Sequence, residues 1–135
     1  MCVATSSVAV MKQTKQSKAA GAPKAGRRSP CPVACVLDII GDRWTLLVIR
    51  DLFLGRSRFR EFSASPEGIP TNILSERLER LLQHGIVEQI PAQDGTKRFA
   101  YALTKKGRAL GSVVKAMRDW GLEWDKSTRA LVGTN

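Results

Sequence analysis

Apolar residues recur at two different periods along this chain, and the change of period marks its elements. From Val33 to Ile40 the apolar positions Val33, Val36, Leu37 and Ile40 fall three and four apart, behind a Pro32 that suits a first helical turn, and Gly41 ends the run. Asp42 is placed to cap the next segment, R-W-T-L-L-V-I-R-D-L-F-L, apolar on most of its surface and expected to be the central buried helix, closed by Gly55. A short helix R-F-R-E-F follows, with Ser57 as its expected cap and Phe59 and Phe62 turned inward. The S-A-S-P-E-G-I-P segment reads as a turn.

Over about 71–84 the pattern is amphipathic. At about 100° per residue, Leu74, Leu78, Leu81 and Leu82 share one side, while Asn72, Ser75, Glu76, Glu79 and Gln83 lie opposite. Thr71, Arg77 and Arg80 flank that polar face, and Gly85 stops the helix. Ile86 to Ile90 and Arg98 to Leu103 read as two strands about Asp94-Gly95, a dipeptide that signals a type I′ hairpin. Thr104 caps an expected last helix whose stripe is Leu110, Val113, Val114, Met117, Trp120, Gly121 and Trp124. The order is four helices, two strands and a helix. That makes a mainly α fold with a small β-hairpin (α+β), in the layout of a winged helix-turn-helix, a device for reading duplex DNA.

Charge sharpens this reading. The 135 residues carry a formal net charge of +10, which favours nucleic acid or an anionic surface as partner. Residues 1–30 hold six basic and no acidic side chains, against sixteen basic and twelve acidic over 31–135. We therefore expect residues 1–29 to form a disordered basic tail, either merely solvated or touching phosphates without sequence preference, and residues 30–130 to form one domain. Met11 is an alternative start. No apolar run reaches membrane-spanning length, and no secretory signal is evident. The three cysteines do not make a disulfide framework, so a cytoplasmic, nucleoid-associated protein is expected.

In a recognition helix the N-terminal residues meet base edges, which makes Thr71, Asn72, Ser75 and Glu76 the reading candidates, with Arg77 beside them. Arg56, Arg58, Lys97 and Arg98 are the candidate phosphate contacts, and Arg60 shares their neighbourhood. Taken alone, the helix is equally an ordinary surface helix with a Glu76–Arg80 pair. The basic residues on neighbouring elements turn the reading toward DNA. His84, the one histidine, sits where it can meet the last helical carbonyls. With it and scattered cysteines no zinc set is formed, no nucleophile motif or phosphate-binding glycine loop is visible, and neither an enzyme nor a cofactor is expected. The last helix either packs back onto the first or seals a homodimer through Leu110, Val113, Val114, Met117, Trp120 and Trp124. A two-fold reader of DNA needs the second arrangement. The competing function is a basic nucleoid- or RNA-associated protein without sequence preference.

Several motifs in order carry a resemblance: C-P-V at 31–33, I-G-D-R-W-T-L-L-V-I-R-D-L at 40–52, R-F-R-E-F at 58–62, G-I-P-T-N-I-L-S-E-R-L at 68–78, G-I-V-E at 85–88 and L-T-K-K-G at 103–107. Over about residues 31–125 the chain resembles the HxlR family of bacterial winged helix-turn-helix transcriptional regulators. The resemblance implies a homodimer joined through terminal helices, with the helix at 71–84 in the major groove and the hairpin as wing. It also implies a regulator, often a repressor of nearby genes, acting on an inverted repeat. Some members sense oxidants or electrophiles through the cysteine before the first helix, here Cys31. A helix N-terminus with Arg27 and Arg28 nearby would favour its thiolate; the alternative is an inert apolar cysteine. Cys35 is expected in the core.

Overall fold

The structure is a computed structural model that describes residues 28–131; apart from Arg28 and Ser29, the expected basic tail lies outside them. The chain divides into two units, one ending at Asp42 and one beginning at Arg43.

In the first unit, helix α1 spans Pro32–Ile40, with Pro in its first turn, Cys31 as N-cap and Gly41 as C-cap. Arg28 pairs with Asp38 at 2.7 Å. Val33, Val36 and Leu37 are exposed, so three of the four positions in the expected apolar stripe face outward.

The second unit holds α2 (Thr45–Phe53), α3 (Phe59–Ser63), α4 (Thr71–Gln83), strands β1 (Val87–Pro91) and β2 (Phe99–Leu103), α5 (Lys105–Arg108) and α6 (Gly111–Trp124). Its core is Val48 and Ile49 of α2, Phe62 of α3, Leu74, Leu78 and Leu81 of α4, and Ile69, Ile86, Val87 and Ala100 around them. The four- and three-residue spacing of those α4 leucines turns one face inward and leaves the rest of the helix to solvent. The helix ends in a Schellman motif: Gly85 adopts φ +68, Gly85 N–H donates to the Leu82 carbonyl, and Ile86 N–H donates to that of Leu81 at 2.9 Å. The chain then enters β1, which pairs antiparallel with β2 from Val87↔Leu103 to Pro91↔Phe99. Tyr101 N–H also donates to the Ser57 carbonyl at 2.8 Å, tying the outer edge of β2 to the start of α3. The Tyr101 ring meets Phe62 edge-on, with centroids 6.2 Å apart.

The expected elements are present, with four local corrections. Trp44, not Asp42, is the N-cap of α2. Ser57 does not cap α3: Arg58 holds the N-cap position, and the Glu61 carboxylate accepts from Ser57 N–H and Arg58 N–H at 2.8 and 2.9 Å. The hairpin is not a two-residue turn, because pairing stops at Pro91 and Phe99 and residues 92–98 form a longer tip. Asp94 organises that tip by accepting from Thr96 N–H and Thr96 Oγ1, and Gly95 takes φ +78. Finally, the last helix is two: Thr104 caps α5 through Gly107 N–H at 3.1 Å, and the chain breaks at Ala109–Leu110 before α6. Gly107 is required there, since a Cβ would run into the Ile86 carbonyl.

Candidate nucleic-acid interface

Helix α4 offers Thr71, Asn72, Ser75 and Glu76 to solvent on the side away from its buried leucines. Its N-cap is Pro70, and no side chain caps the helix, so the amide groups of its first turn point toward open solvent. That end attracts anions. Glu76 pairs with Arg77, whose side chain is only 19% exposed. Thus Arg77 neutralises an acid on the candidate reading face as well as flanking it.

The turn that presents α4 is held by a buried carboxylate. Asp51 on α2, with a side chain 3% exposed, pairs with Arg50 at 2.8 Å and Arg56 at 3.2 Å. Its other oxygen accepts from Ser65 Oγ, in the turn after α3. Arg50 reaches on to Glu67 with two bonds of 2.8 Å, a bidentate clamp on the same turn. That clamp raises the Arg50 pKa above its ordinary value and lowers that of Glu67, with the hydrogen bond between them the largest cause for both.

The wing is tied down in the same way. Arg58 pairs with Asp94 at 2.6 Å, and hydrogen bonds from Arg58 and then Thr96 hold the Asp94 carboxyl well below the ordinary carboxylate range. Glu61 is also lowered, first by the Ser57 and Arg58 backbone N–H groups. Of the four expected phosphate contacts, Arg56 and Arg58 are engaged by acids and are under one-fifth exposed. Lys97 and Arg98 are exposed on the wing, and Arg60 is exposed on α3. Between α3 and the wing lies a groove of about 400 Å³ that brings Arg60 and Arg98 together with Gln89 and Phe99. Gln89 and Phe99 are members the sequence reading missed. The period-2 alternation that puts Phe99 on the Tyr101 face was the available signal.

The remaining predicted residues lie away from α4. His84 is the α4 C-cap, and its carbonyl accepts from Lys106 Nζ at 2.7 Å. Trp120 and Trp124 are 68% and 70% exposed, with ring centroids 6.5 Å apart, and Val113 and Met117 are exposed on the same helix. Leu110 and Val114 are half-buried. Cys31 is disulfide-bonded, whereas Cys35 carries a free thiol and donates to the Ser29 carbonyl at 3.2 Å. Arg28, expected to favour a Cys31 thiolate, is taken by Asp38. Among the described residues no group of three or more His, Cys, Asp or Glu is placed to hold a metal, and no helix is long and apolar enough to cross a membrane.

Two helices joined by a turn, with the second presenting a polar face beside a basic hairpin, define a winged helix-turn-helix. Residues 39–129 match the model of the HxlR-like helix-turn-helix, and the chain belongs to the HxlR family of helix-turn-helix transcriptional regulators. It is 36% identical over 92 residues, 68% of its own length, to an uncharacterized HTH-type transcriptional regulator of Mycobacterium tuberculosis, and the match spans 58% of that relative's length. It is 35% identical over 91 residues to the HTH-type transcriptional regulator YodB of Bacillus subtilis, covering 67% of this chain and 81% of YodB. Among solved structures, PA1607 superposes with a TM-score of 0.70 at 41% identity, over 83% of this chain and 80% of that one. The redox regulator HypR in its reduced form gives 0.61 at 32%, over 68% and 91%.

Proposed function

We propose that this chain is a sequence-specific, DNA-binding transcriptional regulator that acts as a homodimer on an inverted-repeat operator. The exposed polar face of α4, with basic side chains on the wing and on α3 around it, carries this reading. Thr71, Asn72, Ser75 and Glu76 read bases. Asn suits adenine, Ser and Thr suit several edges or a phosphate, and Glu accepts from cytosine N4. Lys97, Arg98 and Arg60 supply salt-sensitive phosphate contacts. Arg56 and Arg58 contribute the donors their acids leave over and hold the turn and wing in place.

Dimerisation explains the apolar surface that α6 leaves at Val113, Met117, Trp120 and Trp124, which a monomer would expose to water. Two copies of α4 then enter successive major grooves about 34–36 Å apart. Repression of nearby genes from the cytoplasm is the mode that family membership favours.

The test is titration of the full chain with the duplex upstream of its own gene and with a scrambled duplex, across a salt series. Asn72→Ala is expected to relax preference at one base position, at a cost of about 1–3 kcal/mol there. Lys97→Ala is expected to weaken all sequences alike and flatten the salt dependence. Uniform losses in both variants would refute the division between reading and anchoring.

The disulfide at Cys31, on the N-cap of α1, supports thiol control of this binding. In that case oxidant changes the DNA affinity of the parent protein and leaves Cys31→Ser unaffected; equal responses would remove Cys31 from the account.

A further inference from the structure

Helices α2 and α6 and the segment after α6 enclose a groove of about 470 Å³, separate from the α4 face. Its volume falls in the range of roughly 300–1,000 Å³ typical of small-molecule sites. The floor is apolar, with Leu47 and Phe53 from α2, Val114 from α6 and Leu131 from the closing segment. Every ionisable side chain that lines it is basic: Arg50, Lys115, Arg118 and Arg129. Of the α6 residues that line it, Gly111, Lys115 and Arg118 lie on the side of the helix away from Val113, Trp120 and Trp124, at about 100° per residue, while Val114 and Met117 belong also to the expected dimer set. The dimer stripe therefore borders the groove along Val114 and Met117 and leaves its basic wall of Lys115 and Arg118 open.

An apolar floor under a rim whose lining charges are all basic complements one kind of ligand, and Lys115 and Arg118 share one acid, Asp119, at 2.9 and 3.0 Å. We propose that the groove binds an amphipathic carboxylate, with its hydrocarbon along α2 and α6 and its carboxylate at Lys115, Arg129 and Arg50. Arg50 gives occupancy a consequence, because the same guanidinium clamps Glu67 in the turn before α4 through two bonds of 2.8 Å. A ligand carboxylate competes with Glu67 for those donors, loosens the turn that presents α4 and weakens DNA binding. This last step rests on the DNA-binding reading; binding in the groove does not.

The probe is decanoate, kept below its micellar range and followed by calorimetry on the full chain without DNA, with decanol as the neutral control. Decanoate is expected to bind, with decanol weaker by about tenfold or more. The double variant Lys115→Gln/Arg129→Gln, which touches neither α4 nor the wing, is expected to lose a similar factor. Absence of decanoate binding, equal affinity for decanol, or an unaltered double variant would overturn the site. Decanoate affinity that falls as protein concentration rises would also overturn it, by showing a second copy in the groove. In DNA titrations, decanoate is expected to weaken binding by about fivefold or more in the parent and not in the double variant. Decanoate binding without that change would overturn the Arg50 coupling.

Discussion

Asp51→Asn tests whether the buried ion cluster holds the turn before α4. The carboxylate accepts four hydrogen bonds, two from Arg50, one from Arg56 and one from Ser65. The arginine bonds all go to Oδ1 and Ser65 meets Oδ2, so asparagine can keep its oxygen toward the guanidinium groups and its amide toward the hydroxyl, but it removes the negative charge. Three charge-assisted bonds then become bonds to a neutral acceptor, each weaker by about 1 kcal/mol or more. Both arginines keep 19% side-chain exposure, so water recovers part of that loss. The resulting estimate is about 3 kcal/mol, at the low end of the roughly 3–5 found on breaking buried pairs. Ser65→Ala removes only the neutral hydroxyl and should cost about 1 kcal/mol. In urea unfolding followed by tryptophan fluorescence at one protein concentration, a slope near ~1.5 kcal/mol/M converts the first value to a midpoint lower by about 2 M. A shift for Asp51→Asn no larger than that for Ser65→Ala would refute the idea that this cluster fixes the turn.

Other predictions follow from the same geometry. Glu61 and Glu67 have folded-state pKa values below their ordinary 4.5, so the stability they contribute is present above that value and is lost as pH falls through the depressed values. The urea midpoint should therefore hold between pH 7 and 5 and drop below about pH 4.5; a loss centred near neutrality would contradict this. Trp120→Glu places a charge on the exposed tryptophan stripe and should shift the protein to monomer in sedimentation equilibrium, weakening operator binding in parallel. An unchanged mass would move the dimer seam elsewhere.

How far the sequence could be read varies with the distance its residues act over. Helix α4 was visible because its leucines repeat at helical spacing between Pro70 and Gly85, and both boundary signals act locally. The break at Ala109–Leu110 was hidden because the apolar period runs on across it. Gly107, where a Cβ would run into the Ile86 carbonyl, was equally hidden, because the residue it meets lies far back in the chain. Residues 92–98 looked like a tight hairpin because Asp94-Gly95 carries a type I′ signal. In the fold, Asp94 instead turns to Thr96 and Arg58. That last pairing spans 36 positions, and no local pattern announces it. The same reason hid the fate of Arg56: a basic residue beside a candidate recognition helix looks like a phosphate contact until its buried acid is located in space. Asp51 itself was the readable clue, an acid inside a helix otherwise apolar on most of its surface.

The central claim, that two copies of α4 read an inverted repeat, is tested most directly by selecting bound sequences from a randomised duplex library at physiological salt. The account predicts an enriched two-fold-symmetric site whose half-sites lie about 10–10.5 base pairs apart, bound about 10³-fold or more above random duplex. Recovery of no motif, with affinities that collapse together as salt rises, would contradict it and leave a charge-driven binder in its place.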